Sequence, residues 1–390
     1  MTIRFMKFID EYVGKVLVLF VFITILFRKA KRTQDVRRIL IIKFWGIGSV
    51  TLSTPLLVEL KKRWPRAKIH FLTLSSNSDL CRLVGQVDFI HAVSLDSVRS
   101  FVSSATRTMK AFRRQQFDIV YDLEFFTNIS AIFSALSGSK ERVGFINDRR
   151  RGDVRKLLYS RRVQFQEKIH TANNFLQLAD MQTEIHFPKL SSGESFEAAT
   201  SCVFPVTFNI NAGPLAYERR WMREEFRQLA DHLVREFHAH IFLIGSKEEK
   251  KYVGEFATSL ENKTYVTDLS GKTTIGELVN LVSSSRLVVT NDSGPLHIAS
   301  ALNIPTISFF GPETPLRYGS LADRQLTFYR RLWCSPCMTI SNLKTVDCIN
   351  DRQCMRQIRF IEIKESVDKF VRSFLKIGEE AVEEKVSFEV

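Results

Sequence analysis

Twice in this chain a short apolar run ends in a turn of small residues and gives way at once to helical periodicity. Arg38–Lys43 (RILIIK) leads into Trp45-Gly46-Ile47-Gly48, and Ser49–Arg63 then carries Leu52, Leu56, Leu57 and Leu60 on one face. Arg286–Thr290 (RLVVT) leads into Asn291-Asp292-Ser293-Gly294, and a helical pattern follows over Pro295–Leu302. Strands without a wet face alternating with helices specify a parallel sheet covered on both sides. Lys68–Leu74, Val87–Val93 and Asp118–Leu123 read as further strands of the first series. Val206–Asn211, His240–Gly245 and Thr306–Phe310 extend the second, with helices over Met222–Phe237 and Ile275–Ser284. The expectation is an α/β chain of two halves, with a ligand at the carboxyl ends of the strands in the cleft between them. Length agrees, because 390 residues exceed the ~250–300 that one core usually holds. Residues 36–190 form the first half and 200–358 the second. Ser191–Ser195 reads as a linker, and 359–390 as a closing helix with an acidic tail.

The first 35 residues are of another kind. Val16–Phe27 (VLVLFVFITILF) is a charge-free apolar run, followed by Arg28, Lys29, Lys31 and Arg32. Twelve residues fall short of the ~20 of a spanning helix. A membrane anchor or in-plane segment, a buried core helix and a cleaved signal all fit the pattern. The basic flank and the lack of a small-residue cleavage site favour the first. That reading keeps the remainder on the cytoplasmic face of the inner membrane.

The net charge of +14 calls for an anionic partner. Arg149, Arg150, Arg151, Arg155, Lys156, Arg161 and Arg162 cluster within fourteen residues. They read as a solvated face or as a site for phosphorylated glycolipid or membrane headgroups. Nucleic acid is not expected, since no recognition motif accompanies the charge.

Three segments carry chemistry. At Asp292-Ser293-Gly294-Pro295-Leu296-His297 a strand hands over to a helix N-terminus, where free N–H groups and the dipole attract anions. Asp292 and Ser293 read either as sugar and phosphate contacts or as helix caps. Asn209–Trp221 (NINAGPLAYERRW) places Arg219 and Arg220 where a diphosphate would be neutralised, or else leaves them a solvated pair. Lys43–Pro55 holds Gly46, Gly48 and Ser49 at a turn that is neither G-x-G-x-x-G nor a P-loop.

Together these segments resemble glycosyltransferase family 9, the ADP-heptose:lipopolysaccharide heptosyltransferases, over roughly residues 37–358. The core D-[ST]-G-P-x-H at Asp292–His297, followed by Phe310-Gly311-Pro312, is similar to the family's most specific signature. The resemblance implies a GT-B fold of two Rossmann-like domains facing a central cleft. The donor is then held by the second and the acceptor by the first, with inversion at the anomeric carbon. It places Asp292, Ser293, Gly294 and His297 on the donor, Arg219 at the diphosphate, and Glu248 or Glu249 at the ribose. It implies an ADP-heptose-like donor and an anionic glycolipid acceptor; without an HExxH, EF-hand or DxD motif the transfer is expected to need no cofactor, with Mg²⁺ optional. One departure stands out. The family's opening turn ends in an aspartate, the expected base, and here that position is Ser49. A neutral hydroxyl cannot replace a carboxylate as base. Glu124, at the end of the strand Phe117–Leu123, is the best replacement by position, with Asp122 the alternative. A non-catalytic nucleotide-sugar binder, or another GT-B enzyme such as an epimerase or hydrolase, is the competing reading.

Cys334, Cys337, Cys348 and Cys354 fall in one short segment. CxxC followed by two more cysteines suits a structural zinc; free or redox thiols, or a disulfide, fit as well. No HExxH, EF-hand or DxD motif is present.

Overall fold

Arg38–Ile42 (β1) is buried along all but its first residue, as its unbroken apolar run requires. Five parallel partners join it: Lys68–Leu74 (β2), Phe89–Val93 (β3), Ile119–Asp122 (β4), Glu141–Ile146 (β5) and Arg161–Gln164 (β6), in the order β3-β2-β1-β4-β5-β6. A second sheet holds Phe204–Asn209 (β7), Ala239–Leu243 (β8), Val266–Asp268 (β9), Leu287–Asn291 (β10), Thr306–Phe310 (β11), Gln325–Tyr329 (β12) and Ser387–Glu389 (β13). Its order is β13-β12-β11-β10-β7-β8-β9, again parallel throughout. Setting the last strand aside, both sheets run 3-2-1-4-5-6, the doubly wound order of a Rossmann unit.

This computed structural model describes residues 3–26, 35–147, 152–190, 196–213, 217–339, 342, 344, 346–375 and 387–389. The chain divides into Met1–Ser191 and Ser192–Val390. The linker expected at Ser191–Ser195 lies outside the described residues, as do Arg28, Lys29, Lys31, Arg32 and Arg149–Arg151. The acidic tail contributes an edge strand, Ser387–Glu389, beside β12. In the first unit the helix Val98–Gln115 lays Phe112 against Leu40, Ile42, Leu72 and Val120. In the second, Phe226, Leu229 and Leu233 from the helix Arg223–Phe237 pack on Phe208 and Ile241. The closing helix Phe360–Leu375 adds Val367 and Val371 to the same core.

The apolar N-terminal run belongs to a 23-residue helix, Ile3–Ile25. Among the described residues no helix is long and apolar enough to cross a membrane. One stripe of this helix, Val18, Val21 and Ile25, packs on Ala131, Ile132 and Ala135 of the helix Asn128–Leu136.

Candidate active site

A doubly wound sheet leaves a crevice where the strand order reverses, outside the carboxyl ends of the strands. In the first unit the reversal lies between β1 and β4, whose ends are level, Ile42 beside Asp122. One step beyond, Lys43 and Glu124 meet as a buried ion pair, Nζ to Oε1 2.8 Å. The same Oε1 accepts the N–H groups of Phe44 (2.7 Å) and Trp45 (3.0 Å), while Oε2 accepts no hydrogen bond among the described residues. The Glu124 carboxylate is therefore held against the turn that carries Gly46, Gly48 and Ser49. Gly46 sits at φ +81°, a left-handed conformation suited to glycine, and opens the helix Ile47–Arg63 without a side-chain cap. Ser49 is half-buried in that helix's first turn.

Asp122 does not join Glu124 there. It is fully buried, its Oδ2 accepting from the Tyr159 hydroxyl (2.7 Å) and its Oδ1 from the Glu124 N–H (3.0 Å). Burial pushes its carboxyl up to about 6, against the pull of those hydrogen bonds. Tyr159 lies so close over Gly144 of β5 that a Cβ there would enter its ring. Arg155, read in the sequence as part of a solvated or headgroup-facing patch, is wholly buried. It pairs with Asp153 (2.8 Å) and donates to the carbonyls of Glu124 (3.3 Å) and Phe125 (2.7 Å). Arg161 is tied to Asp180, and Lys156 and Arg162 are exposed. Between the edge strand β3 and the helix Val98–Gln115 a groove of about 890 Å³ is lined by serine hydroxyls, Ser94, Ser97 and Ser100 among them, with Arg99 and Arg107.

In the second unit the reversal lies between β7 and β10, with Asn209 level with Thr290. Just beyond, Arg219 Nη1 donates to the Asp292 carbonyl (2.8 Å) and to its Oδ2 (3.2 Å), and Nη2 donates to the Ala212 carbonyl. Arg219 Nε has no partner among the described residues. Three asparagines that sequence reasoning passed over shape this end of the sheet. Asn209 Nδ2 donates to Ser293 Oγ (2.8 Å) and Thr290 Oγ1 (3.0 Å). Asn291 accepts the Trp221 N–H (2.8 Å) and donates to the Asn211 carbonyl (3.0 Å). Asn211 donates to the Ile244 carbonyl, yet its own Oδ1 is buried without a partner among the described residues. Their signal in the sequence is a polar amide at or just past a strand's end, in NIN and TND.

Ser293 thus spends its hydroxyl on Asn209 and Thr290 (2.9 Å) and makes no cap hydrogen bond to the helix Gly294–Ala301. The capping alternative fails for Ser293, and the helix start has no side-chain cap. His297 is buried on that helix, its ring 6.1 Å from that of Tyr318. Glu248 and Glu249 separate clearly. Glu248 is exposed, whereas Glu249 caps the Ser246 N–H (2.9 Å) and faces Arg220 at 3.7 Å. Arg220 also covers the Tyr252 ring, 4.6 Å from its centroid. Arg219, Arg220, Glu249, Asp292 and the helix start therefore follow the ends of β7, β8 and β10. Such a rim offers guanidinium and backbone N–H donors to phosphate, and carboxylates to hydroxyls.

The four clustered cysteines are all free thiols. Burial, then the neighbouring Cys337, Cys348 and Cys334, push the Cys354 thiol up to about 12. Among the described residues no group of three His, Cys, Asp or Glu side chains is arranged to hold a metal ion. The loop is tied by ordinary hydrogen bonds, such as those from Cys337 and Met338 N–H to the Pro312 carbonyl (2.9 and 2.8 Å).

Two Rossmann units with charged strand-end rims have the GT-B architecture, and the family shows the class: the chain belongs to glycosyltransferase family 9 (heptosyltransferase), whose pattern matches residues 105–346. It is 24% identical over 315 residues to lipopolysaccharide heptosyltransferase 2 of Escherichia coli (strain K12), covering 76% of this chain and 90% of that protein. Among solved structures it resembles E. coli ADP-heptose lps heptosyltransferase II, with a TM-score of 0.68 at 19% identity over 86% of this chain and 99% of that one. The family 9 glycosyl transferase from Veillonella parvula superposes with a TM-score of 0.70 at 17% identity, over 88% of this chain and all of that one.

Proposed function

We propose that this chain moves a heptose, with inversion, from an ADP-heptose donor to a lipopolysaccharide core. The observation that carries the reading is the Arg219–Asp292 pair beside an uncapped helix start, in a unit whose relatives are heptosyltransferases. Arg219 and the Gly294 N–H stabilise the departing diphosphate, where charge develops as the glycosidic bond breaks. Asp292 and the Asn211 Oδ1 accept from donor hydroxyls, and Glu249 serves the ribose.

The first unit supplies the acceptor side. An acceptor hydroxyl attacks the anomeric carbon, its oxygen forms the new bond, and Glu124 takes the proton. Oε1 is the anchored oxygen and Oε2 the one left to receive it. The base that the β1 turn lacks at Ser49 is brought to the same turn from β4. The serine- and arginine-lined groove suits a phosphorylated glycolipid. In this scheme arginines and backbone dipoles do the neutralising, so no cofactor enters the transfer and soluble Mg²⁺ is optional. Metal analysis of the purified protein decides whether the four cysteines hold a structural zinc.

A nucleotide-sugar panel read by thermal shift, followed by turnover with and without lipopolysaccharide acceptor, tests the proposal. A donor at 100 times its dissociation constant adds ~2.7 kcal/mol of stability. ADP-heptose should give the largest shift and be consumed only with acceptor. Binding without turnover would make the chain a non-catalytic binder, and consumption without acceptor an epimerase or hydrolase.

A further inference from the structure

The helix Ile3–Ile25 is held to the first unit by unusually specific means. The Asp10 carboxylate accepts the N–H groups of Asn128 (2.8 Å) and Ile129 (2.9 Å), and Asn128 Nδ2 donates back to the Asp10 carbonyl (2.7 Å). Thr127, at the N-cap of the helix Asn128–Leu136, makes no side-chain cap of its own, so Asp10 caps that helix from outside it. Gly14, Val18, Val21 and Ile25 then follow at intervals of four, three and four, all buried. That stripe is the docked face.

The opposite face is apolar and uncovered. Val16 is 67% exposed, Phe20 67% and Ile23 66%, with Val13, Leu17 and Leu19 beside them. No charged residue occurs from Val16 to Phe27. Monomeric soluble proteins rarely leave such a contiguous patch in water. The sequence that follows it is basic. Arg28, Lys29, Lys31 and Arg32 follow in sequence. The segment Val154–Leu157, which carries the exposed Lys156, packs against the helix. An apolar face beside cations matches a bilayer with anionic headgroups, where acyl chains take the first and phosphates the second.

The geometry also says how the helix meets the bilayer. At 1.5 Å per residue, the charge-free part within the helix, Val16–Ile25, is ~15 Å long, about half of a ~30 Å hydrocarbon core. Crossing would strip Asp10 from the helix it caps and take Val18, Val21 and Ile25 off their partners. We propose that Ile3–Ile25 is an in-plane membrane element: Val13, Val16, Leu17, Phe20 and Ile23 enter the acyl region of an anionic leaflet while the docked stripe keeps the first unit attached.

Flotation of the full chain with vesicles tests this. With phosphatidylcholine vesicles containing phosphatidylglycerol the parent should float, and with phosphatidylcholine alone it should float less. Phe20→Glu/Ile23→Glu should cut the bound fraction by about tenfold or more. Its circular dichroism and melting temperature should match the parent's, because both side chains are exposed. Alkaline carbonate should release the parent from membranes. Three outcomes overturn the proposal. The double variant may not float less than the parent. Carbonate may leave the parent in the membrane pellet, which would mean that the helix spans. Or the parent may fail to float while the double variant converts a dimer into monomers, which would mean that a second copy covers the face.

Discussion

The two units share a strand order, and each places an acid–base pair where that order reverses, but the pairs are built differently. Lys43 and Glu124 meet at 2.8 Å with side chains 2% and 1% exposed, and the same carboxylate oxygen also holds two backbone N–H groups. Arg219 and Asp292 meet at 3.2 Å with 12% and 7% exposed, next to an Arg219 Nε and an Asn211 Oδ1 that have no partner among the described residues. The first pair is sealed and saturated on one side, so it fixes the position of a carboxylate. The second is looser and still has hydrogen-bonding capacity to give. On the proposed function the difference is chemical: a base must stay put, whereas a phosphate site must exchange internal partners for those of the ligand.

The largest effect should come from the sealed pair. Glu124→Gln should lower kcat by ~10²–10⁴ while the thermal shift from ADP-heptose survives. Because it also strips Lys43 of its counter-charge, the double variant Lys43→Met/Glu124→Gln is needed beside it, and should regain stability without regaining turnover. Lys43→Met alone should cost ~3–5 kcal/mol in a denaturant melt, by leaving a buried carboxylate uncompensated. Parent-like turnover in Glu124→Gln would end the base assignment. In the looser pair, Asp292→Ala should weaken donor binding by ~2–4 kcal/mol. Arg219→Met should act in the same direction, and the two together by less than their sum, since they share one contact. Unchanged donor affinity in folded Asp292→Ala would remove the second unit's rim from the donor site.

Asp122 separates structure from chemistry within the first unit. Its native carboxyl titrates near 6 against an ordinary 3.8, so the folded chain keeps a proton that the unfolded chain has released. That contribution is full below the unfolded value and is lost as pH rises through the native one. Asp122→Asn should therefore gain on the parent by up to ~3 kcal/mol in unfolding free energy between about pH 4 and pH 7. A flat difference between the two across that range would contradict the buried, protonated group. Its turnover should fall less than that of Glu124→Gln. Smallest is Gly144→Ala, where a methyl group would push into the Tyr159 ring and cost ~1–3 kcal/mol of stability, leaving donor affinity as it was.

The strand ends and the Asp292–His297 segment were legible because both are local: apolar runs, small-residue turns and helical spacing lie within a few residues of one another. The contacts that give those ends their chemistry are not local. Lys43 and Glu124 are 81 residues apart, and Asp10 caps a helix 118 residues away. No periodicity announces either. The N-terminal run shows a different limit. Its docked and exposed faces are equally apolar, so the sequence has no amphipathic contrast to distinguish them. In the Cys334–Cys354 segment, spacing alone suggested a metal, and spacing cannot say how the intervening loop sets the thiols, because loop geometry follows from contacts such as those with the Pro312 carbonyl. Arg155 was misread for a related reason: charge clusters in sequence say nothing about which member turns inward.

The inward turn of Arg155 has a consequence for how freely this region can change over generations. Its guanidinium holds the Glu124–Phe125 segment through main-chain carbonyls, which every amino acid possesses. The tether itself therefore reads no side chain of the segment it holds; what fixes Glu124 and Phe125 there is the Lys43 ion pair and the packing of Phe125 on Phe145, Phe165 and Phe175. Only Arg155 and its counter-ion Asp153 are irreplaceable to it. One distant pair thus preserves the backbone path of the stretch that presents Glu124, independently of the side chains that pack it.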